Sequence, residues 1–230
     1  TSFSFLQQSS AAAGVVWTTL CGAGAAVTDE GEVVEFDADG AWSIGRTDAG
    51  LMVPSPSGST LRTDDGDVEL PGMLMPALVD DGSDDVLLVS ADGRPGLRAV
   101  ERDGTARWSS DSSAWVLART GGVAVGIDDT ELVGTDLSDG VERWRRDGVL
   151  PEPTEDDASL AGVATDGVRV LLAVGGSDGF ELVAVDARTG RTAWRQDYDT
   201  GPLVNLTTVA GRLMVTTTEG GGAVLRGLAS

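Results

Sequence analysis

The chain has 230 residues, 37 acidic and 16 basic, for a net charge of -21; every basic residue is Arg, and there is no His and no Lys. Without His there is no Ser-His-Asp or Cys-His nucleophile system, and without Lys no P-loop lysine, Schiff base or Ser-Lys dyad. A charge this negative opposes phosphate backbones and anionic bilayers, which excludes nucleic acid as a partner and disfavours membrane surfaces. It leaves two readings open: an acidic face for a basic partner, or a solvated surface that keeps the protein soluble.

Residues 1–28 carry no charge, and Asp29 is the first charged side chain. The most apolar run there, Ala11 to Trp17, is short of the roughly 20 residues a membrane span needs, so no direct membrane insertion by this segment is expected. No positive region precedes it, so it is not an intact signal peptide, and Leu20-Cys21 lacks the small residue expected before a lipoprotein cysteine. The stretch reads as strands. Cys21 stands alone, which rules out an internal disulfide or a Cys-based zinc site. It reads as a small buried hydrophobe or as one half of a bridge to a residue outside the chain.

One phrase then recurs: Glu101-Arg-Asp-Gly-Thr-Ala-Arg-Trp108, Asp136-Leu-Ser-Asp-Gly-Val-Glu-Arg-Trp144 and Asp186-Ala-Arg-Thr-Gly-Arg-Thr-Ala-Trp194. Gly104, Gly140 and Gly190 each stand four residues before the Trp, and an apolar alternation precedes each phrase. This is a strand, a tight turn and a second strand ending in a large aromatic. Weaker upstream versions end at Leu70 after Gly66, at Ile44 after Gly40, and at Trp17 after Gly14. The resulting anchors, Trp17, Ile44, Leu70, Trp108, Trp144 and Trp194, are 27, 26, 38, 36 and 50 residues apart.

Each repeat holds several short apolar runs, such as Val86–Ser90 and Val168–Val174, bounded by Gly and Asp, and none shows a helical apolar stripe. Self-similarity at this period predicts an all-β protein: a β-propeller of about six antiparallel blades, with five to eight as the range if the chain is truncated. The recurring Trp packs between neighbouring blades. A single propeller domain over 1–230 is expected. The first two repeats are tight for four strands. Residues 1–17 are candidates to close the last blade and remove its open edge.

The phrase Leu182-Val-Ala-Val-Asp-Ala-Arg-Thr-Gly-Arg-Thr-Ala-Trp194 resembles the repeat of quinoprotein-type propellers, the PQQ-like repeat proteins, and among them the non-catalytic members of the BamB type. The resemblance implies a scaffold that binds protein partners outside the cytoplasm or at the cell envelope. The enzymatic members bind PQQ and Ca²⁺ on the propeller axis through a vicinal Cys pair, acids and amides. With one Cys and one Asn, Asn205, this chain lacks that constellation, so PQQ is not expected and no cofactor is assigned.

Neither catalytic nor cofactor-binding residues can be named. Paired carboxylates can hydrolyse glycosides, but 37 acids make any single pair uninformative. For Ca²⁺, Asp80, Asp81, Asp84 and Asp85 form the densest acidic loop, as candidate ligands or as ordinary solvated turn residues. Asp64, Asp65 and Asp67 form a smaller group of the same kind. Trp42 and Trp115 fall outside the anchor role and are candidate partner contacts, or further blade packing. The segment from Gly148 to Asp157, with Pro151, Glu152 and Pro153, reads as an exposed inserted loop and a third candidate contact. The expected protein is a monomeric, non-catalytic binding module with an unidentified protein partner. The alternatives are a quinone- or Ca²⁺-dependent enzyme and a glycan or small-ligand sensor.

Overall fold

The computed structural model describes residues 9–10, 15–20, 23–27, 31, 33–37, 45–47, 50–55, 58–75, 77–82, 85–90, 96–112, 114–150, 159–175, 179–199, 203–209, 212–219 and 222–227. Regular structure among them is all strand. The first sheet comprises β1 (Ser9–Ser10), β2 (Val15–Leu20), β3 (Ala23–Val27) and β4 (Val33–Asp37). The second comprises β5 (Gly45–Thr47), β6 (Gly50–Ser55), β7 (Gly58–Thr63) and β8 (Gly66–Leu70). A short strand, β9 (Val79–Asp80), precedes the third sheet of β10 (Leu87–Ser90), β11 (Leu97–Val100) and β12 (Ala106–Ser110).

The fourth sheet holds β13 (Trp115–Thr120), β14 (Val123–Asp128), β15 (Glu131–Asp136) and β16 (Glu142–Arg146), with β9 added in parallel along the edge of β13. The fifth holds β17 (Ser159–Thr165), β18 (Arg169–Gly175), β19 (Phe180–Asp186) and β20 (Thr192–Tyr198). The sixth holds β21 (Leu203–Val209), β22 (Arg212–Glu219) and β23 (Gly222–Gly227). Among the described residues there are six small sheets, built in chain order, in line with a propeller of about six blades. Every pairing is antiparallel except that of β9 with β13.

The chain divides into two compact units, Thr1–Pro76 with Asp85–Ser112, and Ala77–Asp84 with Ser113–Ser230. In the first, apolar residues of the second and third sheets meet: Met52, Leu61 and Leu70 with Leu87, Val89 and Val100. In the second, Leu117, Val125, Leu132 and Trp144 of the fourth sheet meet Val163, Leu172 and Val185 of the fifth. A further cluster joins Phe180 and Leu182 to Leu206 and Val215 of the sixth. Each unit therefore stores its apolar burial between successive sheets. Strands such as β18 are consequently apolar on both faces rather than alternating.

Three expectations need correction. Trp17 lies on β2, between β1 and β3, and so is not at the end of a sheet's last strand. Ser9–Ser10 pairs with β2 in the first sheet, so the described part of 1–17 builds that sheet instead of closing the last one. The second sheet fits four strands into 45–70 because Thr47 is in register with Gly50, Ser55 with Gly58 and Thr63 with Gly66, so only two residues separate successive strands. Trp42, Ile44 and Cys21 lie outside the described residues.

Candidate functional site

The repeated phrase is a turn engine. In the fifth sheet one oxygen of Asp186 accepts the Thr189 hydroxyl (2.8 Å) and the amides of Thr189 (2.9 Å) and Arg188 (3.1 Å). The Gly190 amide donates to the Asp186 carbonyl at 2.9 Å. These donors, the Thr189 hydroxyl foremost, hold the Asp186 carboxyl below its ordinary range. In the fourth sheet Asp136 accepts the amide and hydroxyl of Ser138 (both 2.8 Å) and Nε of Arg143 (2.7 Å). Burial pushes the Asp136 carboxyl up, but Ser138 and Arg143 outweigh it and the net displacement is downward.

The third sheet uses Glu101 instead. Its turn is one residue shorter, closed by Gly104 N–H to the Glu101 carbonyl (2.9 Å), while its carboxylate pairs with Arg107 (2.8 Å). All three phrase glycines adopt left-handed backbone, with φ of 83°, 76° and 67° at Gly104, Gly140 and Gly190, which is why the turn selects Gly.

Between the turn and the Trp each phrase strand carries a bulge. Trp108 pairs with Ala99 and Ala106 with Val100, so the ladder register skips Arg107; it skips Arg143 and Ala193 in the same place before Trp144 and Trp194. A bulge bends its strand and re-aims the next side chain. The Trp144 ring lies over Gly134 of its own sheet and against Gly190 of the next, where an added Cβ would sit 2.5 Å from Cδ2. Its indole N–H donates to the Ala187 carbonyl at 2.9 Å. Leu70 occupies the corresponding place in the second sheet: a Cβ on Gly104 would stand 3.9 Å from its Cδ2. Trp108 and Trp144 are 8% and 6% exposed, but Trp194 is 37% exposed.

The acidic loop binds protein, not solvent alone. Asp80 pairs with the buried Arg119 at 3.1 Å and accepts the Gly82 amide at 2.9 Å. Asp81 accepts the Thr120 hydroxyl (2.8 Å) and the Gly121 amide (2.9 Å). These contacts fasten β9 to β13. Asp85 is exposed and belongs to the other unit, and Asp84 lies outside the described residues. Among the described residues no group of three or more acids or Cys is arranged to hold a metal. With one Cys in the chain and both Asp80 and Asp81 already occupied by donors, the residues do not fit the quinone and Ca²⁺ set of the enzymatic propellers. Tyr198, the only tyrosine, stacks on Phe180 at 4.8 Å, and burial pushes its hydroxyl up, which suits packing rather than proton transfer.

Trp115, by contrast, opens β13 and is 57% exposed. Pairing with Ile127 places it beside the β14–β15 turn. At that end Arg145 gathers three carboxylates: Asp128 (2.9 Å), Glu131 (2.8 Å) and Glu142 (3.0 Å). The hydrogen bonds it donates to Glu142, then to Glu131 and Asp128, push its guanidinium pKa further up. This cluster escaped sequence reading because its members are scattered between residues 128 and 145; only the hairpin register assembles them.

The inserted segment leaves β16 at the same end. It is not wholly exposed: Val149 is buried in the core between the fourth and fifth sheets, and Arg195 donates to the carbonyl of Gly148 at 3.0 Å. Pro151, Glu152 and Pro153 lie outside the described residues.

Residues 131–229 match the family model described as outer membrane protein assembly factor BamB. No curated protein matches the chain. Among solved structures it is similar to BamB from Moraxella catarrhalis, at 21% identity and a TM-score of 0.51, over 87% of this chain and 58% of that one. It is also similar to Hsv2 from Kluyvelomyces marxianus, at 11% identity and a TM-score of 0.54, over 89% and 72% of the two chains. The computationally designed Ika8 protein aligns at 12% identity and a TM-score of 0.54, over 92% and 70%. The chain thus spans 58% of the length of the Moraxella protein, and at these identities the likeness is one of fold. The architecture is an all-β propeller fold, with the family match confined to residues 131–229.

Proposed function

We propose, from the premise of a quinoprotein-type propeller similar to BamB, that the chain is a non-catalytic binding module that holds a protein partner at the cell envelope, outside the cytoplasm. We propose further that 1–230 acts as one monomeric propeller domain. The observation that carries this reading is the fate of the repeat's most specific residues. Asp136, Gly190, Trp144 and their equivalents are consumed by turn closure and sheet packing, so the repeat serves the scaffold, and recognition falls to the ends of the sheets. Loops and strand ends on a rigid scaffold are where binding residues concentrate.

The test is affinity purification of the tagged chain from a solubilised envelope fraction, after cross-linking, beside a Trp144→Ala variant whose sheets are loosened. A partner retained by the native chain and lost with the variant supports the reading. Saturable heat on calorimetric titration with PQQ and Ca²⁺, with no partner retained, would replace it by the enzyme.

A further inference from the structure

The end of the fourth sheet that carries Trp115 also carries the last residue of β14, Asp128, the first of β15, Glu131, and the last of β16, Arg146. Trp is enriched among the residues that carry binding energy at protein interfaces, and Trp115 is the exposed aromatic of this end. The charge here is mostly negative. Asp128, Glu131 and Glu142 converge on Arg145, three carboxylates on one cation. Asp129 is exposed at the hairpin tip and is not among the carboxylates that Arg145 engages. Arg146 is drawn away, donating to the carbonyls of Arg145 (2.9 Å) and Thr189 (3.0 Å).

We propose that this end receives a basic segment of the protein partner, with an Arg or Lys side chain lying over the Trp115 indole and pairing with Asp129. The inference rests on the reading of the chain as a binding module. Three physical points select a basic occupant. The face of an indole attracts a cation through its quadrupole, more strongly once water is excluded. A guanidinium can stack on that face and fork onto a carboxylate at the same time. An apolar partner would bury the turn carboxylates without a counter-charge, which is expensive. The net charge of -21 would also speed the encounter with such a segment, an effect that salt weakens.

The experiment uses the full chain and a fluorescein-labelled arginine-glycine repeat peptide, followed by fluorescence anisotropy at low and moderate salt. Trp115→Ala is expected to weaken binding about tenfold and Trp115→Phe by less, because the smaller ring keeps part of the attraction. Asp129→Asn, which tolerates the left-handed backbone of that position (φ 56°), is expected to weaken binding about threefold. Asp139→Asn, at the opposite end of the same sheet, is expected to leave it unchanged.

Equal binding by Trp115→Ala and the native chain would overturn the proposal, as would an equal loss with Asp139→Asn and Asp129→Asn, since the attraction would then be diffuse charge. Trp115-dependent peptide binding with no envelope partner retained would uphold this site while removing the envelope scaffold reading. A partner retained equally by native and Trp115→Ala chains would do the reverse.

Discussion

Trp144 and Trp194 end the same phrase. Each follows a turn with a left-handed Gly, each is preceded by a bulge, and each faces a small residue across the ladder, Gly134 and Ala184 respectively. Yet Trp144 is 6% exposed and Trp194 37%. The difference lies outside the phrase. Trp144 rests against Ala187 and Gly190, the turn of the following sheet. The sheet that follows Trp194 shows three strands among the described residues, none of them a phrase strand. The phrase therefore does not encode its own burial; Leu70 and Trp144 are each completed by the turn of the next sheet. This is the nearest-neighbour logic of repeat proteins, at the level of one indole and one glycine.

The largest effect should come from breaking the buried member. Trp144→Ala is expected to cost about 3–5 kcal/mol, read as a lowered urea midpoint, whereas Trp194→Ala should cost no more than about 1 kcal/mol because much of that ring is already in water. Equal costs would mean that the turn of the next sheet contributes nothing to the burial. Next, Gly190→Ala puts a side chain at φ 67° and a methyl against the Trp144 ring; a loss of about 2 kcal/mol or more is expected.

A smaller cost, about 1–2 kcal/mol, should follow Asp81→Ala, since the Thr120 hydroxyl and Gly121 amide lose their acceptor. Asp85→Ala serves as the reference and should leave the midpoint in place. The smallest effect concerns pH. The Asp136, Asp166 and Asp186 carboxyls lie below the ordinary 3.8 in the folded chain. Their contribution is therefore present above that value and is lost as pH falls through the lower, folded values. Thermal melts between pH 6 and pH 2 should show the native chain losing stability at the acid end. Asp186→Asn should lose less over that interval, and a parallel acid limb in the variant would exclude Asp186 from it.

The sequence made the phrase readable because its residues answer to backbone geometry: Gly where φ is positive, Asp where turn amides need an acceptor. Leu70 could be placed for the same reason, although its phrase lacks the bulge and closes as a plain hairpin. Trp17 was misplaced because a Gly three residues before a Trp says nothing about the strand it sits on. The bulges could not be seen at all, since the skipped position keeps no fixed residue type: it is Arg at 107 and 143 but Ala at 193. Strand β9 was hidden by being two residues long; it is defined by the Asp80–Arg119 and Asp81–Thr120 contacts, and an aspartate-rich run looks the same in sequence whether it serves a cation, water or a buried Arg. For Trp115, only the hairpin register could show that it shares an end with Asp129.

The central claim, that the indole of one repeat is held by the glycine turn of the next, is tested most directly by a double-mutant cycle between Trp144→Ala and Gly190→Ala. If ring and turn are in contact, removing the ring gives the new methyl room, and the double variant should be more stable than the sum of the single losses by about 1 kcal/mol or more. Strict additivity would show that the two positions do not meet and would contradict the account.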